Sequence, residues 1–336
     1  MQGTFGKPGF RRTAVLLALM GGLLLGGCPQ PEDGGAAAGN GLAFKMVRVP
    51  GGRTFPTGTD DSGIPATVDS AYEIGETEVT YELWYMVRAW AEDRGYVFNN
   101  NPGREGSSPS TNNTAPGANR QEPVTDVTWF DAVVWLNALT EWVNAETGSS
   151  LEPVYCYDSG YTTVAKNSNT SNFAKEDPGY SYASAYAKPG AAGFRLPTSN
   201  EWELAARWQG SDTGNTVSGY TDPYFTKGNS ASGATASYSD ATAAATGAVA
   251  WYDGNSSGKT QAVKGKAANG LGLYDMSGNV WEWCYDWHPS YSGLLRVIRV
   301  GNWNSRADFL RVGHVDYSKP DYRDIGTGFR PARTAH

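Results

Sequence analysis

Thiolate and imidazole supply most protein nucleophiles, general bases and transition-metal ligands. This chain carries few of them: Cys28, Cys156 and Cys284, with His288, His314 and His336. No His-x-x-x-His or Cys-x-x-Cys pair sets two of them at ligand spacing. A zinc hydrolase or a Ser-His-Asp centre would therefore have to be assembled from very little. The residues that do cluster favour recognition over bond-making. Between Gly301 and Gly328 the chain reads GNWNSRADFLRVGHVDYSKPDYRDIGTG, where rigid aromatic area is mixed with small polar groups in no helical or strand period. That mixture is the chemistry of antibody loops and of interface hot spots. The expected ligand face is Asn304, Ser305, Arg306, Asp308, Phe309, His314, Val315, Asp316, Tyr317, Ser318, Asp321, Tyr322, Asp324, Ile325, Gly326 and Thr327. The competing reading is an ordinary solvated loop.

The elements that must position this segment begin with an export signal. Lys7, Arg11 and Arg12 precede an apolar run from Thr13 to Leu25, too short for a comfortable membrane span. Gly26 and Gly27 then stand before Cys28, in the layout of a bacterial lipobox, so residues 1–27 are expected to be cleaved and Cys28 lipidated. Pro29 after the cysteine favours the outer membrane or cell surface. Residues 28–42 are rich in Gly, Pro and Ala and read as a flexible tether. The whole chain has 27 basic and 34 acidic residues, net −7; without the signal it has 24 against 34, net −10. So acidic a protein is a poor partner for nucleic acid. Hydrophobic content of 40%, with 12 Trp and 19 Tyr, is ample for a packed core and excludes global disorder.

Residues 43–333 are expected to form the folded domain. A first helix is predicted from Thr80, with Leu83, Trp84, Val87, Trp90 and Ala91 on one stripe and Gly95 beyond its end. A second starts at Thr128, with Asp131 three residues on, and stops before Gly148; a third starts at Thr198-Ser199-Asn200-Glu201 and runs to Gly210. Residues 211–250 read as an irregular surface excursion. Trp281, Trp283 and Trp287 alternate as in a half-buried strand, with Glu282 and Asp286 on the opposite phase. Most Trp residues are expected in the core. Arg195 and Arg330 each follow Gly-Phe and are expected to pair with acidic neighbours.

An ordered series of blocks carries a family likeness. It runs through Met46-Val47-Arg48-Val49-Pro50-Gly51-Gly52, Gly75-Glu76-Thr77-Glu78-Val79-Thr80, Val127-Thr128-Trp129, Gly193-Phe194-Arg195-Leu196-Pro197-Thr198, Gly278-Asn279-Val280-Trp281-Glu282-Trp283 and Gly328-Phe329-Arg330. Together they resemble the formylglycine-generating-enzyme, or sulfatase-modifying-factor, family from about Phe44 to Arg330. The resemblance implies an α+β, C-type-lectin-like fold poor in regular structure.

It also implies where the family's chemistry would sit. The enzymes hold copper between two cysteines five residues apart, and the matching positions here are Ser305 and Leu310, neither of which can ligate Cu(I). The expected protein is accordingly not an enzyme and requires no cofactor; a formylglycine-type oxidase and a structural envelope lipoprotein are the alternatives. The resemblance further implies a structural calcium held by Asp275 and Glu282 side chains and by the carbonyls of Gly278 and Val280. Otherwise Glu282 is salt-bridged to an arginine. Cys156 and Cys284 could form a disulfide in an exported domain or remain as buried free thiols.

The late segment bears a second likeness. An asparagine codon altered at its first two adenines cannot encode Lys, Glu, Gln, Met or Trp, and Trp303 and Lys319 are the sole members of that set in the stretch. This resembles the variable region of lipoproteins diversified by a retroelement, exemplified by the treponemal variable proteins. The implied function is a surface-displayed, diversified binding site for a macromolecular partner, most simply a protein.

Overall fold

The structure, a computed structural model, describes residues 44–108, 112–239 and 243–335. The signal, Cys28 and the tether lie outside the described residues.

Three helices begin where threonine side chains can accept an amide hydrogen. Thr80, Thr128 and Thr198 receive the N–H groups of Leu83, Asp131 and Glu201, and the last two form reciprocal capping boxes. In chain order the elements are β1 (Met46–Val49), β2 (Arg53–Phe55), β3 (Ala66–Val68), β4 (Tyr72–Gly75) and α1 (Tyr81–Glu92). Next come β5 (Arg104–Glu105), β6 (Val124–Thr125), α2 (Trp129–Thr147), β7 (Tyr155–Cys156), β8 (Tyr186–Ala187) and α3 (Ser199–Arg207). The remainder are β9 (Trp208–Gly210), β10 (Tyr224–Phe225), α4 (Ala243–Val249), β11 (Trp281–Trp287), β12 (Arg296–Arg299), β13 (Val315–Ser318), β14 (Thr327–Gly328) and β15 (Ala332–Thr334).

The third helix stops at Arg207, before the expected Gly210, because Trp208 leaves it in an extended conformation and pairs with Phe225. The 211–250 excursion is more regular than its composition implies, since it contains β10 and α4. The short AAATGAV helix carries no amphipathic stripe, so its residues give no period to detect.

Trp84 of α1 stacks on Trp135 of α2, with ring centroids 5.6 Å apart, and Phe329 sets its edge against both rings at 6.1 and 5.5 Å. The Gly328-Phe329-Arg330 block near the C-terminus thus closes a core built far earlier in the chain. All twelve Trp residues are buried or half-buried. β15 pairs with β4, which pairs with β1, joining the two ends of the domain in one sheet.

A four-stranded sheet in the order β13-β12-β11-β14 positions the late segment. Its two inner strands are the Trp-rich β11 and its hairpin partner β12, and both outer strands come from the late segment. β11 is buried on both faces: Trp283 is enclosed on one, and Glu282 and Cys284 are enclosed on the other. The expected half-buried strand is corrected to that extent. The reason is that Arg330 and Trp202 cover the Glu282 side.

Candidate functional site

The late segment is held mainly by its backbone. Val300 and Gly301 turn the chain out of β12 with φ of 65° and 68°, a left-handed conformation rare for a β-branched residue. From there its carbonyls accept hydrogen bonds from the fixed body. Ser305 O receives Asp253 N–H (3.0 Å), Leu310 O receives the Ser277 hydroxyl (2.9 Å), Pro320 O receives Trp129 N–H (3.1 Å) and Asp324 O receives Asp126 N–H (2.8 Å). Ile325 O receives the Trp303 indole N–H at 3.1 Å and Gly326 O receives Trp281 N–H at 2.8 Å. Leu310, fully buried, packs with Ala231, Val249 and Ala250. Gly313 passes so close to the 57–59 loop that a Cβ on it would lie 2.2 Å from Gly58 O.

Between these anchors the side chains face outward. Among the described residues the exposed large hydrophobics are Ile64, Val97, Tyr291, Phe309, Val315, Tyr317 and Tyr322; the last four belong to the late segment. Asn304, Arg306 and Asp321 are also exposed. Ser305, Asp308, His314, Asp316, Ser318, Asp324 and Ile325 are half-buried. Arg306 pairs with Asp308 at 3.3 Å, and the Tyr322 hydroxyl donates to Asp324 at 3.0 Å. His314 sits between Phe309 and Trp281, with centroids 5.3 and 6.0 Å away. Burial pulls its pKa below the ordinary 6.5, and its Nε2 is buried with no hydrogen-bond partner. It is a neutral, unsatisfied polar atom at the foot of an aromatic wall.

Two of the expected ligand residues are corrected. Gly326 and Thr327 are buried, because the chain pairs there with β11 as β14; a Cβ on Gly326 would lie 2.1 Å from the Asn302 amide nitrogen. They frame the face without presenting side chains to it. Two residues that the sequence does not single out join it. His288 and Tyr291, in the β11–β12 connection, pack on Tyr317 with centroids at 4.5 and 5.6 Å. Nothing local marks them; only the register of β13 on β12 brings Tyr317 to their side.

Behind the face lies the 275–282 loop. Glu282 is spoken for: Arg330 donates to both its oxygens at 2.6 and 2.7 Å, and the Trp202 indole donates at 2.6 Å. Asp275 is not. Its Oδ2 accepts Lys264 N–H at 2.9 Å, but its buried Oδ1 has no partner, and burial raises its pKa to about 6. Glu78, also fully buried, has both carboxylate oxygens unpartnered, and its pKa is raised by burial and by Asp275 and Glu282. Three buried carboxylates share one guanidinium. Among the described residues no three His, Cys, Asp or Glu side chains are grouped to hold a metal, and Glu282 has the arginine partner of the alternative reading.

The sulfatase-modifying factor enzyme 1-like domain matches residues 36–335. The chain belongs to this family. A solved structure, Treponema denticola variable protein 1, superposes with a TM-score of 0.62 at 30% identity, covering 91% of this chain and all of that one. The chaperone protein LppX of Paenibacillus barcinonensis is 29% identical over 273 residues, 80% of this chain and 82% of its own. The formylglycine-generating enzyme of Streptomyces coelicolor is 34% identical over 170 residues, 46% of this chain and 50% of the enzyme. The expected α+β, C-type-lectin-like fold of this family is the fold found.

At the family's copper positions, Ser305 gives its hydroxyl to Asn302 at 3.0 Å and Leu310 is core. Cys156 on β7 and Cys284 on β11 are free and buried, which resolves the alternatives for this pair, and burial pushes both thiols up. Neither is a ready nucleophile or thiolate ligand. Arg195 pairs with Glu201 through two short bonds, as Arg330 does with Glu282, in the structural role expected of both. No helix among the described residues is long and apolar enough to cross a membrane.

Proposed function

We propose that this protein is a lipid-anchored surface lipoprotein that presents a diversified, non-catalytic binding face to a protein partner. One observation carries the reading. Apolar exposure in the described domain is concentrated in the late segment, where Phe309, Val315, Tyr317 and Tyr322 stand out from an anchored backbone. Exposed aromatics set among small polar groups suit protein recognition. The likeness to a variable protein over nearly the whole chain supports it. The C-type-lectin-like fold itself carries no implication of sugar binding.

Replacing Phe309, Tyr317 and Tyr322 together with alanine tests this. The triple variant should keep its circular dichroism spectrum and melt within about 3 °C of the parent, since exposed side chains contribute little to stability. On an arrayed protein library it should lose every specific interaction of the parent. Retained binding would sink the proposal. The oxidase alternative is tested by supplying copper and a cysteine-containing peptide, with no oxygen consumption expected.

A further inference from the structure

A groove of about 590 Å³ opens beside the late segment, between the 57–66 loop, the N-terminal end of α3 and the β11–β12 hairpin. Its walls are apolar: Ile64 and Pro65 on one side, Trp287 and Pro289 on the other, Val315 at the edge. Ile64 is 90% exposed, an apolar side chain waiting on one rim. The floor is charged. Arg299 bonds to Glu203 Oε2 at 2.9 Å, while Arg207 bonds to Glu203 Oε1 at 2.9 Å and to Asp61 at 2.6 Å. Those two guanidiniums are balanced by those two carboxylates. Asp286, the remaining acid in the groove, accepts the Ser199 N–H at 2.5 Å and has no ion-pair partner among the described residues. Among the residues that line the groove, two carboxylates, Glu203 and Asp286, face one guanidinium, Arg299, which is bonded to Glu203.

We propose that this groove takes an arginine or lysine side chain of the protein partner, with Asp286 as its counter-charge. The inference rests on the reading of the late segment as a protein-binding face and specifies what part of the partner enters it. A long basic side chain matches both features, laying its aliphatic stem along Ile64 and Trp287 and its head on the carboxylate. An aliphatic side chain would satisfy the walls alone. An added partner strand is disfavoured, because on the edge strand β13 the Tyr317 N–H is already taken by Asp316 Oδ1 at 2.8 Å.

The test is a methyl-NMR titration of the full chain with blocked pentapeptides, Gly-Gly-X-Gly-Gly, where X is arginine, lysine, norleucine or glutamate. The arginine and lysine peptides should shift the Ile64 and Val315 methyl signals with affinities at least about tenfold above the other two. Asp286→Asn keeps an oxygen for the Ser199 N–H and should erase that preference. Ile64→Ser, at a position where folding is not at stake, should weaken the arginine, lysine and norleucine peptides together. Equal binding of norleucine and arginine, a preference that survives Asp286→Asn, or no methyl shift with any peptide would each overturn the proposal. These outcomes are independent of the triple-alanine experiment. Failure here with capture still lost in the triple variant removes the groove and leaves the face; retained capture in the triple variant removes the face itself.

Discussion

Glu282 and Arg330 meet in the interior with neither group accessible to water, and each needs the other. Arg330 also donates to the carbonyls of Gly75, Tyr274 and Asp275, tying the C-terminal block to β4 and to the 275–282 loop. Arg330→Leu would leave Glu282 with only the Trp202 indole for compensation. We expect a loss of about 3–5 kcal/mol in urea unfolding, and partial recovery when Glu282→Gln is added. Recovery is expected because the second change removes the stranded charge. That Arg330 would pair with an acid was legible from its place after Gly-Phe. Which acid was not, since the partner lies 48 residues away in sequence. Ser305 and Leu310 were legible as non-ligands by type alone, whereas Leu310's role as a core plug depends on α4, which the sequence does not announce.

Regular elements with capping residues could be read almost to the residue: Thr80, Thr128 and Thr198 each sit at the predicted helix start. Short strands could not, because a two-residue bridge such as Tyr155–Cys156 has no period to detect. The 275–282 loop is where the element scale bears on a ligand. Asp275 and Asn279 both adopt positive φ there, of 55° and 61°, and turn the chain around the unpartnered Asp275 Oδ1. We propose a structural calcium on the Asp275 side of this loop. Chelation with EGTA should lower the melting temperature by several degrees, calcium should restore it, and Asp275→Ala should melt low in both conditions. A melting curve indifferent to chelator would remove the ion from the account.

At the scale of the whole molecule, the order of family blocks from Phe44 to Arg330 made the fold readable, because many weak matches in sequence order leave few alternatives. The composition of the proposed binding face was less readable. His288 and Tyr291 reach it only through their packing on Tyr317, and no pattern within their own segment marks them. The proposed attachment to a membrane rests on residues outside the described domain. Cys28→Ser should move the protein from the membrane fraction to the soluble fraction without changing its melting temperature; continued membrane association would refute anchoring through Cys28. Sequencing the neighbouring DNA should find a near-copy of the codons for residues 301–330 that differs only at adenines; its absence would count against the proposed diversification.

The main-chain bonds that pin the late segment have a consequence for anyone wishing to reuse it. Asp253, Trp129, Asp126 and Trp281 grip carbonyl oxygens, which every amino acid possesses, so the grip is indifferent to the side chain above it. Positions such as Asn304, Arg306, Phe309, Tyr317 and Tyr322 can therefore be rewritten together while the loop keeps its path, much as type can be reset in a fixed frame. A combinatorial library confined to those five sites would sample new specificities on an unchanged chassis, with Leu310, Gly313 and Gly326 as the letters to leave alone.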